Sequence, residues 1–308
     1  MPVEFHVRVL SESRYREIMG FIEDECLNEP EPGEAVRLNH LTFEYNPDPE
    51  RLSAETLREG SHPSAETVVM DSDYASLIPF AKQGVRSVWL NREGNAVLDW
   101  LPKHDLELTN LEGLLDLRKI LDRPTLNQCL GWWADWGVPD NIRLHVQSVA
   151  RAAYLLAVML REVGFSVDPI LTHRGGLLHD IDKIQTLKQP GVHGQQGAAF
   201  LSDAGYPEVA EIVGEHILHT ILSPGAEERT WEVKLVYFCD KLVEGDQIVP
   251  MGERLSALKA RYPGYRQVIM RSDHALWRLS DQVCSILSLP DHEALIALLK
   301  ADHDQFRE

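Results

Sequence analysis

The chain has 308 residues, 44% of them hydrophobic and 25% charged, a composition typical of a globular protein long enough for two domains. Its formal net charge of −18 argues against a general nucleic-acid-binding protein, because a phosphate backbone requires a basic surface. Small anionic ligands are compatible with this charge, since a local cluster of cations or a metal ion can outweigh the global sign.

The sequence gives no signal for secretion or membrane insertion. The N-terminus MPVEFHVRVL alternates like a strand and lacks the basic start and apolar core of a signal peptide. The longest apolar stretch, VARAAYLLAVML, contains Arg151 and is too short to span a bilayer. We therefore expect a cytoplasmic protein without a membrane partner, and the oligomeric state stays open. Four cysteines without CxxC spacing are predicted to be buried free thiols: Cys26, Cys129, Cys239 and Cys284.

The first 122 residues combine strand and helix signals. EFHVRVL is predicted to be a strand and SRYREIMGFIEDECL a helix, followed by the polar, Pro-rich connection NEPEPGE. LNHLTFEY is a candidate second strand, and NPDPERLSAETLREGSHPS is predicted to be mostly loop with one short helix.

A strand, helix, strand order comes next, in ETVVMDSD, YASLIPFAKQG and VRSVWLN, and it predicts a βαβ unit with parallel strands. LTNLEGLLDLRKIL then predicts an amphipathic helix, with Thr109 as its N-cap and Glu112 three residues later. Residues 1–122 are therefore predicted to form a small α/β, Rossmann-like module.

From about Thr125 the hydrophobic period is helical throughout, and Gly and Pro separate successive segments, as at Gly164, Gly205 and Pro263. Strand-like alternation is not evident in this part of the sequence. We predict a two-domain protein in which residues 123–308 form an all-α helical bundle with a C-terminal helical extension.

Three His-Asp dipeptides occur, at His104-Asp105, His179-Asp180 and His303-Asp304. The first lies in a polar loop and the last in the hydrophilic tail, so both are expected to be solvated. Only the middle pair, in GGLLHDIDKI, lies in an apolar helical pattern, where an unpaired imidazole or charge is costly unless it binds something. The preceding Gly175 and Gly176 would let another helix approach closely.

Residues 125–245 resemble the HD superfamily of metal-dependent phosphohydrolases. WGVPDNIRLHVQSVARAAYLLA resembles the family's first metal-ligand helix and places a histidine at His145. GLLHDIDKI is close to the HDIGK form of the defining motif, and KLVYFCDKLVEGD places Asp240 at the final aspartate. The chain departs from HDIGK at Asp182, where the glycine would stand. The resemblance implies a metal site made by His145, His179, Asp180 and Asp240, with Asp180 also catalytic.

Imidazole nitrogens and carboxylate oxygens are suitable ligands for a divalent metal such as Mn, Fe, Ni, Zn or Mg, and open positions leave room for water and substrate. A bound cation would polarise a phosphoryl oxygen and generate a nucleophile from water near neutral pH. The alternative is that His145 and His179 are core histidines whose partners are aspartates.

Further histidines bear on whether the site holds one ion or two. GVHGQQGAAFL contains His193, and EIVGEHILHTIL contains His216 and His219, three apart on a predicted helical face. The resemblance is nearest to the bacterial diadenosine tetraphosphate hydrolase-like subfamily, in which such histidines complete a second site. His216 is the better match and His219 the alternative. The structural alternative is that these histidines are partly exposed helix residues without a role in metal binding.

Lys183 matches the lysine of HDIGK, and on a continuous helix it would share a face with His179 and Asp180. The resemblance implies a catalytic role in which Lys183 faces a substrate phosphate. A structural ion pair to a ligand carboxylate is the alternative. Arg174, just before the glycine pair, is a weaker candidate for phosphate binding.

The segment ETVVMDSDYASLIPFAKQGVRSVWLNREGN resembles the last third of a haloacid dehalogenase-like phosphatase, with Asp71 and Asp73 at its acidic motif. The upstream strand EFHVRVLSES contains no aspartate where that family has its nucleophile. We therefore predict a truncated, inactive module. The alternative is an unrelated α/β domain in which Ser72 or Asp73 caps a helix.

Two functions follow from these patterns. The first is a metal-dependent phosphohydrolase that cleaves a phosphoester or phosphoanhydride of a small nucleotide, with diadenosine tetraphosphate favoured over nucleoside monophosphates and cyclic nucleotides. The alternative is a regulatory protein that senses a nucleotide or binds a partner through a non-catalytic metal-bearing domain. Retention of all four expected ligands favours the hydrolase.

Overall fold

The computed structural model describes residues 4–25, 36–38, 41–45, 65–187 and 193–306. It divides into two compact units, one of residues 1–97 and 102–127 and the other of residues 98–101 and 128–308. The predicted connections NEPEPGE and NPDPERLSAETLREGSHPS, and Cys26, lie outside the described residues. Cys129, Cys239 and Cys284 are buried free thiols, as predicted.

The first unit contains a six-stranded sheet in the order β2-β3-β1-β4-β5-β6. Strand β1 pairs in parallel with β3 and β4, β4 with β5, and β5 with β6, whereas β2 is antiparallel to β3. The predicted α/β module with parallel strands is therefore confirmed. The strands are β1 (Glu4–Val9), β2 (Val36–Leu38), β3 (Leu41–Tyr45), β4 (Ala65–Asp71), β5 (Arg86–Leu90) and β6 (Leu106–Leu108).

The core of the unit is formed around this sheet. Apolar residues alternate along β1 and are continuous along parts of β4 and β5. In β1, Phe5, Val7 and Val9 are buried on one face. Central strands β4 and β5 are apolar on both faces, as expected of parallel strands that are covered on each side. Helices α1 (Glu12–Glu25) and α2 (Tyr74–Lys82) follow β1 and β4.

The structure corrects the predicted amphipathic helix that begins near Thr109. Leu106–Leu108 form the edge strand β6, and the Leu108 carbonyl accepts a hydrogen bond from Asn91 N at 2.7 Å. The following segment, Glu112–Asp122, is 3₁₀-helical with a kink at Asp116, and Thr109 does not cap it. Its buried residues Leu114, Leu117 and Ile120 are three apart, which suits a helix with three residues per turn.

The second unit is mostly helical, as predicted, although a short β-hairpin that the sequence did not indicate follows α9. The hairpin strands are β7 (Val243–Glu244) and β8 (Gln247–Ile248), and 3₁₀ turns cover Leu218–Leu222, Ala226–Glu228 and Pro263–Tyr265. The helices are α3 (Leu126–Asp135), α4 (Asp140–Glu162), α5 (Pro169–Leu178), α6 (Lys183–Thr186), α7 (Gln195–Asp203), α8 (Pro207–Glu215), α9 (Trp231–Asp240), α10 (Met251–Arg261), α11 (Arg266–Ile286) and α12 (His292–Asp304).

Helix α4 is the central helix of this unit and packs against α5, α9 and α12. Gly176 of α5 lies directly against it: a Cβ at this position would stand 2.6 Å from Ala150 Cα. A Cβ on Gly175 would meet Ile212 of α8 at the same distance. The glycine pair therefore permits two close helix approaches, as the sequence predicted.

The other two His-Asp pairs are not both solvated, contrary to expectation. His104 and Asp105 are almost fully buried in the first unit, where Asp105 Oδ2 accepts the Ser87 amide at 3.0 Å. His303 is buried in the second unit against the Trp100 ring, and only Asp304 beside it is exposed. The polar neighbours of both histidines in the sequence predicted exposure. Residues that are distant in the chain bury them instead.

Within the described residues, the structure contains no helix whose length and apolar character would let it cross a membrane.

Candidate metal centre

The six candidate ligands of the second unit converge beside the N-terminal part of α4. His145 lies inside that helix and the others lie at or beyond helix ends: His179 and Asp180 after α5, His193 before α7, His216 after α8, and Asp240 as the last residue of α9. The end of a helix frees the backbone to turn, so neighbouring side chains can be aimed at a common centre.

Two sequence expectations about these helices are wrong. The segment GGLLHDIDKI is not a continuous helix, because α5 ends at Leu178, residues 179–182 form a turn, and α6 begins at Lys183. His216 and His219 likewise do not share a helical face. His216 is buried at the centre, whereas His219 lies exposed in the 3₁₀ turn that follows. The geometry thus selects His216 over His219.

The first group of ligand atoms comes from His145, His179 and Asp240, which are all buried. Asp240 Oδ1 lies 3.1 Å from His145 Nε2 and 3.8 Å from His179 Nε2. Two imidazole nitrogens and one carboxylate oxygen can thus face a single cation.

The second group comes from Asp180, His193 and His216. Asp180 Oδ1 lies 3.0 Å from His193 Nε2 and 3.6 Å from His216 Nε2, and the two nitrogens are 3.3 Å apart. This group also presents two imidazoles and one carboxylate.

Asp180 connects the two groups through its two oxygens. While Oδ1 faces the second group, Oδ2 lies 3.7 Å from His179 Nε2 and 3.9 Å from His145 Nε2 in the first. One carboxylate can therefore serve both groups, an arrangement suited to a pair of neighbouring cations.

All four histidines turn the same ring nitrogen toward the centre, because each Nδ1–H donates to an oxygen behind it. The acceptors are the carbonyls of Gly245 for His145, Gly176 for His179 and Val213 for His216, at 2.9, 2.8 and 2.6 Å, and the Asp182 carboxylate for His193 at 2.8 Å. Such bonds fix the tautomer and leave Nε2 unprotonated in the neutral ring, as metal ligation requires.

His179 Nε2 provides the sharpest test of fit to a metal. His179 is fully buried, and among the residues that the structure describes this nitrogen has no hydrogen-bond partner. A buried polar atom without a partner is costly, and a divalent cation would satisfy it. The mixed nitrogen and oxygen donors also suit Mn, Fe, Ni or Zn.

Protonation states favour cation binding in the first group. Burial lowers the pKa of His179 to about 3, although Asp180 and Asp240 act in the opposite direction. Burial alone would raise the pKa of Asp240, but Lys241, His145 and His179 hold it well below its usual range. The ring is therefore neutral and the carboxylate ionised near neutral pH.

In the second group, His193 is protonated near neutral pH. Burial alone would lower the pKa of His193, but its bonds to Asp180 and Asp182 raise that pKa to about 9. Burial alone would raise the pKa of Asp180, but Lys183 and the nearby histidines hold it well below its usual range. A cation entering this group would displace the proton from His193.

Three cations lie around the carboxylates. Lys183 Nζ is 2.5 Å from Asp180 Oδ2, and Lys241 forms an ion pair with Asp240 Oδ2. Arg254 Nη2 lies 3.6 Å from Asp240 Oδ1. The sequence interpretation overlooked Lys241, although it directly follows Asp240. For Arg254, in a separate helix, the sequence offered no signal.

The weaker candidate for phosphate binding, Arg174, is a buried residue of α5. Its side chain is fully buried within α5 and hydrogen-bonded to His173 at 2.9 Å. Phosphate binding by Arg174 stays a prediction.

Comparison with known proteins assigns a family to this region. The protein-family model of the HD domain matches residues 144–244, which include all six candidate ligands. Over 150 residues the chain is 30% identical to the uncharacterized protein MJ0778 of Methanocaldococcus jannaschii, a match that covers 44% of this chain and 87% of that protein. No solved structure matches the chain.

Proposed function

The chain belongs to the HD-domain family, and from that premise we propose that it is a metal-dependent phosphohydrolase that cleaves a phosphoester or phosphoanhydride of a nucleotide. The observation that carries this proposal is the pair of ligand groups joined by Asp180, together with the buried Nε2 of His179, which has no hydrogen-bond partner among the described residues. HD domains bind divalent metals, and the family's members are generally phosphohydrolases.

The residues have distinct roles in this proposal. His145, His179 and Asp240 hold one ion, and His193 and His216 hold a second, while Asp180 contributes to both. A bound divalent cation polarises the phosphoryl oxygen and lowers the pKa of its water. Lys183, whose side chain is 31% exposed, exchanges its contact with Asp180 for a substrate oxygen and stabilises the charge that develops there.

A substrate with several phosphates fits this arrangement best. Two neighbouring ligand groups and the partly exposed Lys183 are compatible with an extended anionic group, despite the net charge of −18. The resemblance to the diadenosine tetraphosphate hydrolase-like subfamily agrees with this choice. Nucleoside monophosphates and cyclic nucleotides are the substrates to compare.

We also propose that the N-terminal module is a truncated haloacid dehalogenase-like, Rossmann-like fold without catalytic activity. Its acidic residues serve the local backbone: Asp71 Oδ1 accepts the amides of Ser72 and Asp73 at 2.6 and 3.1 Å, and Asp73 Oδ1 caps α2 by accepting Ala75 N at 3.0 Å. Capping of this kind stabilises the fold and requires no substrate.

The test of the proposed function combines metal analysis with a substrate panel. Full-length protein, purified with Mn²⁺ or Fe²⁺ supplied, is analysed for metal per chain and for phosphate release from dinucleoside polyphosphates, nucleoside monophosphates and cyclic nucleotides. We expect bound metal and turnover of at least one class. His179→Asn should lose both, because it removes a ligand of the first group.

His219→Asn is the matched control, since His219 is an exposed histidine close in sequence to the centre but outside both ligand groups. It should retain metal and activity. A folded wild-type protein that binds no ion and hydrolyses nothing when supplied with Mn²⁺ or Fe²⁺ would refute the proposal. Metal with tight nucleotide binding but no turnover would favour the regulatory alternative.

A further inference from the structure

Asp182 stands where the HDIGK motif has glycine, and its carboxylate lies directly behind His193. We propose that Asp182 is a positioning residue that orients His193 and thereby completes the second ligand group. This inference rests on the proposed metal-dependent function and deepens it, because it identifies what makes this chain able to hold a second ion.

Asp182 makes three hydrogen bonds with the segment that carries His193. Oδ1 accepts from His193 Nδ1 at 2.8 Å and from Gly194 N at 3.0 Å, and Oδ2 accepts from Gly197 N at 2.9 Å. The side chain of Asp182 is fully buried. Because both oxygens already accept hydrogen bonds on the side away from the centre, Asp182 orients a ligand rather than acting as one.

Two glycines let the chain wrap around this carboxylate. Gly194 has a φ of 80°, which favours glycine. A Cβ on Gly197 would lie 2.8 Å from Ile181 Cγ2 and 3.5 Å from Asp182 Oδ2. The start of α7 can therefore approach Asp182 closely enough to donate its amide. A carboxylate at the N-terminus of a helix is also favoured by the helix dipole.

His193 depends on Asp182 in a way that the other histidines do not share. His145, His179 and His216 donate Nδ1–H to backbone carbonyls, whereas His193 donates to a side chain. Its own side chain is 31% exposed, so packing restrains the ring less. The Thr186 hydroxyl at 3.5 Å is a weaker contact at the limit of hydrogen bonding.

With Nδ1–H held by Asp182, His193 Nε2 points to Asp180 Oδ1 at 3.0 Å and to His216 Nε2 at 3.3 Å. A carboxylate behind a ligand histidine fixes the ring and increases its basicity, and loss of such a partner typically costs about 10- to 100-fold in metal affinity. Glycine at this position supplies no acceptor.

The experiment is a Mn²⁺ titration of the full-length, metal-depleted protein, with bound ions counted by electron paramagnetic resonance. We expect two ions per wild-type chain and a spectrum of coupled ions, because Asp180 would connect them. Asp182→Gly should weaken the second ion by about 10- to 100-fold and remove the coupled spectrum, while the first ion stays bound.

Asp182→Asn is the conservative variant. Its side-chain oxygen can still accept from His193 Nδ1 and Gly194 N, although its amide group opposes the Gly197 N–H. It should therefore bind the second ion more tightly than Asp182→Gly does. Rescue of this kind would show that a hydrogen-bond acceptor for His193, rather than a negative charge, is what this position supplies.

Thr186→Val is the matched structural control. It removes a hydroxyl that donates to the Asp182 carbonyl at 2.8 Å in the same turn and lies 3.5 Å from His193 Nδ1, but it leaves the Asp182 carboxylate, the main acceptor of His193 at 2.8 Å, in place. We expect a lower thermal unfolding temperature and two bound ions. Thermal unfolding of every variant without metal shows whether it folds.

The outcomes distinguish this inference from the proposed function. If folded Asp182→Gly binds both ions with wild-type affinity, or if Asp182→Gly and Thr186→Val lose metal in parallel, the positioning role is wrong and the hydrolase proposal stands. A single ion in the wild-type protein also overturns the positioning role alone. No bound ion at all overturns both.

Discussion

Lys183 differs from the other two cations near the carboxylates in its exposure. Its side chain is 31% exposed, against 5% for Lys241 and 8% for Arg254. A partly exposed ammonium on a flexible stem can change partners at little cost, whereas a buried one is held by its ion pair. Lys183 is therefore the cation best placed to exchange a carboxylate for a substrate phosphate.

Lys183→Met should lower kcat/KM by about 10²- to 10³-fold without changing the number of bound metal ions, because it removes a charge that stabilises the transition state. The measurement is phosphate release under saturating metal, together with metal analysis. Lys119→Met is the matched control, since Lys119 forms an exposed ion pair with Asp116 three residues away in the chain.

Loss of metal with unchanged activity per bound ion would instead make Lys183 a structural partner of Asp180, the alternative that the sequence left open. In that case the ion pair at 2.5 Å would hold the carboxylate in place for the ligand groups. The metal count separates the two roles, because a substrate contact leaves the ions in place.

At the scale of elements, the centre depends on where helices stop. Hydrophobic periodicity predicts α5 as far as its apolar pattern continues, through GGLLHDIDKI, but the helix ends at Leu178. Periodicity cannot show this end, because the turn is held by contacts from other segments, among them the bonds of Asp182 with Gly194 and Gly197. The break brings His179, Asp180 and Lys183 to the centre together.

The contact of α4 with α5 is the element-scale feature most open to test. Gly176→Ala would place a Cβ 2.6 Å from the Ala150 backbone, so the helices must separate. We expect the free energy of unfolding to fall by about 1–3 kcal/mol or more. Metal affinity should fall too, because the Gly176 carbonyl holds His179 Nδ1 at 2.8 Å. Urea unfolding and metal titration measure the two effects.

Gly131→Ala is the control for that substitution. Gly131 lies exposed within α3, and a Cβ there would have no atom of the described residues within 4 Å. This change should raise the free energy of unfolding by about 0.5–1 kcal/mol, because alanine favours a helix more than glycine does. Equal stability losses in both variants would show that close packing is not the cause.

At the scale of the whole molecule, a buried ion pair ties distant parts of the chain to α4. Arg151, only 1% exposed, binds Asp302 of α12 through Nε at 2.7 Å and Nη2 at 2.5 Å. Its Nη1 donates to the Asp99 carbonyl at 3.2 Å. Residues 98–101 therefore belong with the helical unit although they lie in sequence among residues of the first.

Asp302→Ala should destabilise the helical unit by about 3–5 kcal/mol, because it leaves the Arg151 charge buried without its carboxylate partner. Calorimetry of the full chain measures the loss as a lower unfolding temperature. The double variant Arg151→Met with Asp302→Leu should recover most of it, since no buried charge remains. If the double variant is as unstable as Asp302→Ala, packing rather than charge accounts for the loss.

The sequence by itself determined the types of most elements and the membership of the first ligand set. Alternation and apolar runs predicted β1, β4 and β5, and helical period predicted α2 and the mostly helical second unit. The motifs around His145, His179, Asp180 and Asp240 implied a metal site through their resemblance to the HD superfamily. These features are local, because period and residue type are properties of neighbouring residues.

Only the tertiary structure decided which side chains meet and which are buried. It placed His216 rather than His219 at the centre, added Lys241 and Arg254 beside Asp240, and turned Asp182 toward His193. It also buried His104 and His303, which polar neighbours in the sequence had made look solvated. Burial and convergence depend on contacts between residues far apart in the chain, and local sequence patterns do not specify such contacts.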